Sequence, residues 1–202
     1  MAHLGAFGTQ GGYSQCLPPG ASQKALVKHS SPRFTSGAGL DHVWLSSSVE
    51  IERSPAAAKR EFALARKALA NPRVVGCIER RFGALGGQPG SVSVKGHHIA
   101  ITVRDLRMVP IELAPPAGTD ATAGFTMQFV ADYRFTARGR RVDFPAPFLV
   151  EVSAFAIGRA EVNFASMSMG QPMSVRLEDR LYSTLVSRAL AASHLAPAAV
   201  QG

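Results

Sequence analysis

The fold of this chain is decided by residues 124–169, GFTMQFVADYRFTARGRRVDFPAPFLVEVSAFAIGRAEVNFASMSM. Along its first part, apolar or small residues alternate with mostly polar ones. The apolar set is Phe125, Met127, Phe129, Ala131, Tyr133 and Phe135. Alternation with period 2 is typical of a half-buried β-strand, because successive side chains point to opposite faces of a sheet. The pattern therefore predicts a strand that buries one face.

Two further strands are predicted after this one. Arg138-Gly139-Arg140 is a turn sequence, and a second strand is expected from Phe148 to Ile157. Gly158-Arg159 has Gly in the first central position of a two-residue loop, which favours a type II′ hairpin into a third strand, Ala160 to Met167. The sequence thus predicts an antiparallel meander with one apolar face.

Helices are predicted on both sides of this meander in sequence. Ser54 and Pro55 form a favourable N-cap and first position, and Asn71-Pro72 restarts the pattern in a second helix. A C-terminal helix from about Ser174 to Ala192 has a leucine stripe, and we expect it to cover the apolar face of the meander. Shorter strands are expected over 25–28, 42–52, 91–94, 98–103 and 107–113, and turn-forming residues over 30–39. The predicted class is α+β: a twisted antiparallel sheet with a C-terminal β-meander packed by helices.

The domain organisation follows from composition. The chain has 202 residues and 46% hydrophobic residues, which suits one domain with a real core. Residues 1–40 are predicted to be a flexible arm, 41–193 a single α+β domain, and 194–202 a disordered tail. The chain contains no apolar run of about 18 residues, and its first twenty residues lack the pattern of a signal peptide.

The net charge of +8 is concentrated in the two predicted helices after Ser54. These basic residues are candidate contacts to an anionic partner: Lys59, Arg60, Arg66, Lys67, Arg73, Arg80 and Arg81. A solvated helix face is the other interpretation. Nucleic acid is not favoured as the partner. The aromatic residues in this region, Phe62 and Phe82, fit the apolar stripes and do not alternate with the Lys and Arg residues.

Cys16 and Cys77 are the only cysteines, so they admit one internal disulfide. Such a bond requires an oxidising compartment. Cys77 also fits an apolar helical stripe, where a free thiol behaves as a small hydrophobic residue. Both interpretations remain open from the sequence.

No catalytic, cofactor or metal signature is present. His97 and His98 are adjacent, so in a strand they point to opposite faces and do not chelate one metal. The HExxH, CxxC, GxSxG and GxxxxGK[ST] patterns are absent. Met167, Met169 and Met173 are interpreted as core residues or as the lining of an adaptable apolar pocket.

Several segments together resemble small extracytoplasmic domains of actinobacteria. They are Ser47-Ser-Val-Glu-Ile, the helix from Ser54 to Ala70, Arg73-Val-Val-Gly-Cys77-Ile-Glu-Arg, Phe155-Ala-Ile-Gly-Arg-Ala-Glu-Val162 and Leu177-Glu-Asp-Arg-Leu-Tyr-Ser-Thr-Leu-Val-Ser-Arg188. The similar proteins include lipoproteins and sensor domains akin to the extracellular part of the PknH kinase, with a fold of the Mog1/PsbP group. The resemblance implies a ligand-binding cleft between sheet and helices, no catalytic activity, and export by a signal peptide, a lipid-modified cysteine or a membrane anchor.

The functional hypothesis is a non-catalytic, sensor-like extracytoplasmic domain, associated with the cell envelope, that binds a small molecule or an envelope component. One alternative is a cytoplasmic module that binds an anionic partner, such as nucleic acid, through the basic helices. Another is an enzyme of unrecognised type, which would be favoured by His97 or His98 beside a carboxylate in a concave pocket.

Overall fold

The computed structural model describes residues 16, 25–37, 42–87, 90–94, 97–137 and 140–195. Eight strands and three helices lie in these residues. Their bounds are β1 Val27–Ser30, β2 Phe34–Ser36, β3 Val43–Ile51, α1 Pro55–Leu69, α2 Pro72–Gly87, β4 Gly90–Val94, β5 His97–Pro110, β6 Ala121–Ala137, β7 Arg140–Ile157, β8 Ala160–Met169 and α3 Val175–Leu195.

The strands form a single antiparallel sheet in the order β1-β3-β8-β7-β6-β5-β4. β2 also pairs with β3, further along the strand than β1. The predicted α+β class, with an antiparallel sheet, a C-terminal meander and packed helices, is confirmed.

The three predicted strands of the meander are present, but β7 begins earlier than expected, at Arg140 instead of Phe148. Its extra residues pair with β6 alone, because the β8 ladder reaches only to Phe148. Pro145 and Pro147 fall in this one-sided stretch, where a missing N–H interrupts at most one ladder. The two prolines are therefore compatible with a strand that begins at Arg140.

The tight turn between β7 and β8 is the one that the sequence predicts. Ile157 pairs with Ala160 across a two-residue loop. Gly158 has a φ of 56°, whereas Arg159 does not have a positive φ, which is the combination that a type II′ turn requires. Glycine is suited to this position because its lack of a Cβ removes the strain of a left-handed backbone.

Both predicted helix starts are confirmed. The Ser54 side chain accepts a hydrogen bond from the Ala57 N–H at 3.1 Å, and the Asn71 side chain accepts one from the Arg73 N–H at 3.0 Å. α1 packs Ala58 and Phe62 against alanines of β6 and β7. α2 packs next to it, with Val74 and Ile78 against Met108 of β5. Register shows that α1 and α2 cover the same face of the sheet, which we call the front face.

The prediction that the C-terminal helix covers the apolar face of β6 is wrong. That face, which includes Phe125 and Phe129, is the front face. α3 instead packs on the back face, where Val186 contacts a cluster formed by Phe155, Ile157 and Val162. The meander has two apolar faces near its hairpin, since consecutive residues 153–157 of β7 are all buried.

The first part of the chain contributes more to the sheet than composition predicts. β1 and β2 lie within the predicted arm of residues 1–40, and β2 falls where turn-forming residues were expected. Both strands satisfy backbone groups along the outer edge of β3, which would otherwise be an open sheet edge. Most of the predicted tail, residues 196–202, lies outside the described residues, as do 1–15, 17–24 and 38–41.

β5 is one strand where the sequence predicts two. Its pairing with β6 changes register between Arg104 and Arg107, so a bulge separates the two halves. Asp105, inside this bulge, has a φ of 55°, a conformation that Asp tolerates better than most residues. Pro110 ends the strand at its pairing with Phe125.

A disulfide joins Cys16 to Cys77 of α2, with 5.7 Å between the Cα atoms. Cys16 packs against the cluster of Ala68, Val74, Ile78 and Met108. The bond connects residues 61 positions apart, so it closes a loop that includes β1, β2, β3 and α1. It thus ties the start of the described chain to the helix layer on the front face.

We predict that reduction of this disulfide lowers the free energy of unfolding by roughly 4 kcal/mol, the loop-entropy value for a ring of this length. Urea denaturation with and without a reducing agent measures the difference. The Cys16→Ser variant serves as the control and should be insensitive to reductant. An unfolding midpoint that is the same for oxidised and reduced wild-type protein would contradict the prediction.

Candidate functional site

Five aromatic side chains cross the front face beyond α1. We call them the aromatic strip: Trp44, Phe129, Tyr133, Phe144 and Phe148. The strand register places them on one face of the sheet. Phe129 pairs with Phe148, and Tyr133 pairs with Phe144. Trp44 pairs with Met167, two residues before Met169, which pairs with Phe148. The strip thus runs from β3 across β8 and β7 to β6.

The rings of the strip contact one another in sequence. Phe129 and Phe148 are stacked, with ring centroids 5.1 Å apart and planes inclined by 12°. Trp44 lies 6.2 Å from Phe148, and His42 lies 4.5 Å from Trp44. Tyr133 and Phe144 form a second pair at 6.4 Å. These spacings are those of favourable aromatic pairs.

The strip is buried at its base and open along its surface. Phe148 is 7% exposed and rests beside the fully buried Ala131 and Ala146. Trp44, Phe129 and Tyr133 are only partly buried, and Phe144 is 38% exposed. Burial also raises the pKa of Tyr133, as expected for a phenol in an apolar environment. The strip therefore leaves part of its aromatic surface open to solvent.

Met167 and Met169 complete the strip, because both pack against its buried residues. Met173, the third methionine of the predicted cluster, is itself buried just before α3. Methionine side chains are flexible and polarisable, so they adapt to ligands of different shape. Two of the three methionines thus lie at the strip, and the choice between core residues and an adaptable lining stays a prediction.

A second feature is a group of carboxylates between α1 and the edge of the sheet, which we call the acidic seam: Glu50, Glu52, Glu61 and Glu161. Glu161 is 7% exposed and Glu52 is 3% exposed. Glu161 lies between Ala156, which α1 covers, and Glu50, which forms an ion pair with Lys28. One carboxyl oxygen of Glu161, Oε1, is buried without a hydrogen-bond partner among the described residues.

The environment of Glu161 keeps it neutral at pH 7. Burial, followed by repulsion from Glu52, Glu61 and Glu50, raises its pKa to about 8. A protonated carboxyl avoids the cost of a buried, repelled charge. Ionisation of Glu161 would therefore disturb the contact between α1 and the sheet.

A weaker pair of carboxyls lies on the back face. Burial raises the pKa of Glu151 on β7, and a hydrogen bond with Ser166 opposes the shift. Burial, and then repulsion from Glu151 and Asp179, raises the pKa of Glu178 on α3. The repulsion between Glu151 and Glu178 is exerted where α3 packs on the back face of the sheet.

All seven basic residues predicted as anionic contacts are exposed on α1 and α2. Lys59 pairs with Asp120 at 2.9 Å, and Asp120 also accepts the Gly158 N–H at 2.7 Å. These contacts, that of Lys59 before that of Gly158, lower the pKa of Asp120. They tie α1 to the hairpin that joins β7 and β8.

The two histidines that the sequence singles out lie away from the strip in the sheet order. His97 and His98 begin β5, where their backbones pair with Val94 and Ser93, so the histidine pair lies at the outer edge formed by β4 and β5. Among the residues with described side chains, no group of three His, Cys, Asp or Glu is placed to hold a metal. Likewise, none of the helices in the described ranges is long and apolar enough to cross a bilayer.

The acidic seam predicts how stability depends on pH. The pKa of Glu161 is raised from its ordinary value of 4.5 to about 8. The contribution of this group to the free energy of unfolding is therefore fully present below about pH 4.5 and is lost as pH rises to about 8. The free energy of unfolding should fall over this window by at most about 1.4 kcal/mol per pH unit. The side chain in Glu161→Gln is neutral at every pH. This variant should therefore lose that part of the pH dependence and be more stable than the wild type at pH 8.

Urea unfolding at several pH values between these limits tests the prediction for wild type and variant. Glu112→Gln is the matched control, since Glu112 is exposed. An unchanged pH slope in Glu161→Gln would show that Glu161 is already ionised in the folded protein.

Comparison of the chain with protein-family models, with curated proteins and with solved structures finds no match.

Proposed function

We propose that this protein is a non-catalytic, extracytoplasmic domain that binds an apolar or planar organic ligand on the aromatic strip. The envelope-associated, sensor-like role implied by the resemblance to actinobacterial lipoproteins and PknH-like domains, with their Mog1/PsbP-like fold, is part of the same proposal. The ligand would come from the cell envelope or be a small molecule that reaches it.

The observation that carries the proposal is the partial solvent exposure of the rings in the aromatic strip. A soluble domain normally buries large aromatic side chains, and contiguous exposed apolar surface usually marks a binding site. Here Trp44, Phe129 and Tyr133 remain partly exposed although they lie on strands that are paired on both sides. Ring faces supply contact area to a ligand at little cost in side-chain entropy, because each ring has two rotatable bonds.

The extracytoplasmic setting is supported by the disulfide between Cys16 and Cys77. Structural disulfides persist in oxidising compartments and are rare where cellular thiols keep cysteines reduced. Binding is therefore the function proposed for the strip.

Trp44 makes the proposal directly testable, because it is the only tryptophan in the chain and belongs to the strip. The hydrophobic probe 1-N-phenylnaphthylamine should bind and quench Trp44 fluorescence by energy transfer. Phe129→Ser combined with Phe144→Ser should weaken probe binding by about tenfold or more, since each ring contributes on the order of 1 kcal/mol of contact.

Phe34→Ser is the matched control, because Phe34 is 56% exposed but pairs with Leu45 on the back face. Its affinity for the probe should equal that of wild type. Far-ultraviolet circular dichroism establishes that each variant is folded. Equal probe affinity in the strip variant and the control, or binding without quenching of Trp44, would overturn the proposal.

A further inference from the structure

The outward surface of α1 consists of basic residues and alanines. Lys59, Arg60, Arg66 and Lys67 are all exposed. Arg60 and Lys67 lie on the side of the helix opposite Ala58 and Phe62, which pack on the sheet, and Lys59 and Arg66 flank that side. Ala63 lies between them and is also exposed.

α2 continues this surface. Arg73, Arg80 and Arg81 are exposed, whereas the helix's own carboxylate, Glu79, is partly buried and accepts the backbone N–H of Met108 at 2.8 Å. Glu61 of α1 faces the acidic seam instead of the outer surface. Lys59 also forms an ion pair with Asp120.

We propose that the outward surfaces of α1 and α2, which we call the basic face, dock the protein onto an anionic phospholipid surface. The basic face comprises the seven basic residues of the two helices: Lys59, Arg60, Arg66, Lys67, Arg73, Arg80 and Arg81. The proposal goes beyond the binding function of the aromatic strip and rests on different residues.

Charge complementarity supports this partner. Lipid phosphates attract each nearby Lys or Arg side chain, and the attraction adds up over several residues near the bilayer surface. A nucleic-acid site normally adds aromatic side chains on which bases stack, and the described outer surfaces of α1 and α2 carry none. The disulfide of α2 also fits an extracytoplasmic surface better than a nucleic-acid compartment.

The position of the basic face relative to the strip adds a second argument. α1 and α2 pack on the front face of the sheet, which also carries the aromatic strip. A bilayer in contact with the basic face would therefore lie on the side of the sheet to which the strip is open. Docking would hold the protein where apolar ligands are concentrated.

Vesicle co-sedimentation tests the proposal with the whole chain in its disulfide-bonded form. Vesicles that contain phosphatidylglycerol should bind the protein, vesicles of phosphatidylcholine alone should not, and added salt should weaken binding. The triple variant Arg60→Gln, Arg66→Gln, Lys67→Gln should have a partition coefficient on the order of 100-fold lower, since three lipid-facing charges are lost.

The matched control removes the same number of positive charges from α3, on the back face: Arg176→Gln, Arg180→Gln, Arg188→Gln. These three residues are also exposed, so this variant should bind anionic vesicles as wild type does. Equal loss in both triple variants would show that net charge alone drives adsorption and would overturn the proposal. Binding of the wild type to duplex DNA or RNA but not to the anionic vesicles would overturn it in favour of nucleic acid.

The two proposals fail separately. The basic-face variant should keep its affinity for 1-N-phenylnaphthylamine. The variant Phe129→Ser, Phe144→Ser should still bind anionic vesicles. Loss of vesicle binding in this strip variant, whose basic face is intact, would show that the aromatic residues bind the membrane and that the Lys and Arg residues do not.

Discussion

The long ladder between β6 and β7 is the interaction on which the rest of this structure depends. Pairing is continuous from Ala121 with Ala156 to Ala137 with Arg140, without a change of register. In an antiparallel pair of this length the register fixes the face of every side chain, and a slip of one residue would exchange the two faces. The helix contacts, the aromatic strip and the Glu151 pair therefore all follow from this one alignment.

The ladder divides the sheet into regions with different partners. Near the hairpin both faces of β7 are buried, since α1 covers Ala154 and Ala156 while α3 covers Phe155 and Ile157. Toward the other end of β7, the front face carries the aromatic strip and remains partly open. The packed end supplies a rigid base, so the strip is held in position by strands instead of loops.

Local features were predictable because the sequence near each one is sufficient to specify it. The period-2 pattern of β6, the Ser54 cap and the Gly158 turn each depend on a few neighbouring residues. The aromatic strip and the acidic seam were not predicted, because their members come from strands and helices far apart in sequence. One local signal existed: Trp44 breaks the alternation of β3, and it does so because it belongs to the apolar front face. The side chosen by α3 was missed because the apolar residues of β7 near the hairpin occupy both faces.

The charges of α1 show that its bases are not used to stabilise the acidic seam. Arg60 and Lys67 lie on the outer surface of the same helix whose Glu61 faces Glu161. A base turned inward would have stabilised an ionised Glu161 and lowered its pKa, yet that pKa is raised. The fold thus keeps Glu161 neutral by protonation and leaves most of the bases of α1 in water, where salt bridges contribute little to stability. A segregation that adds so little to folding is consistent with an external anionic surface as the partner of these bases.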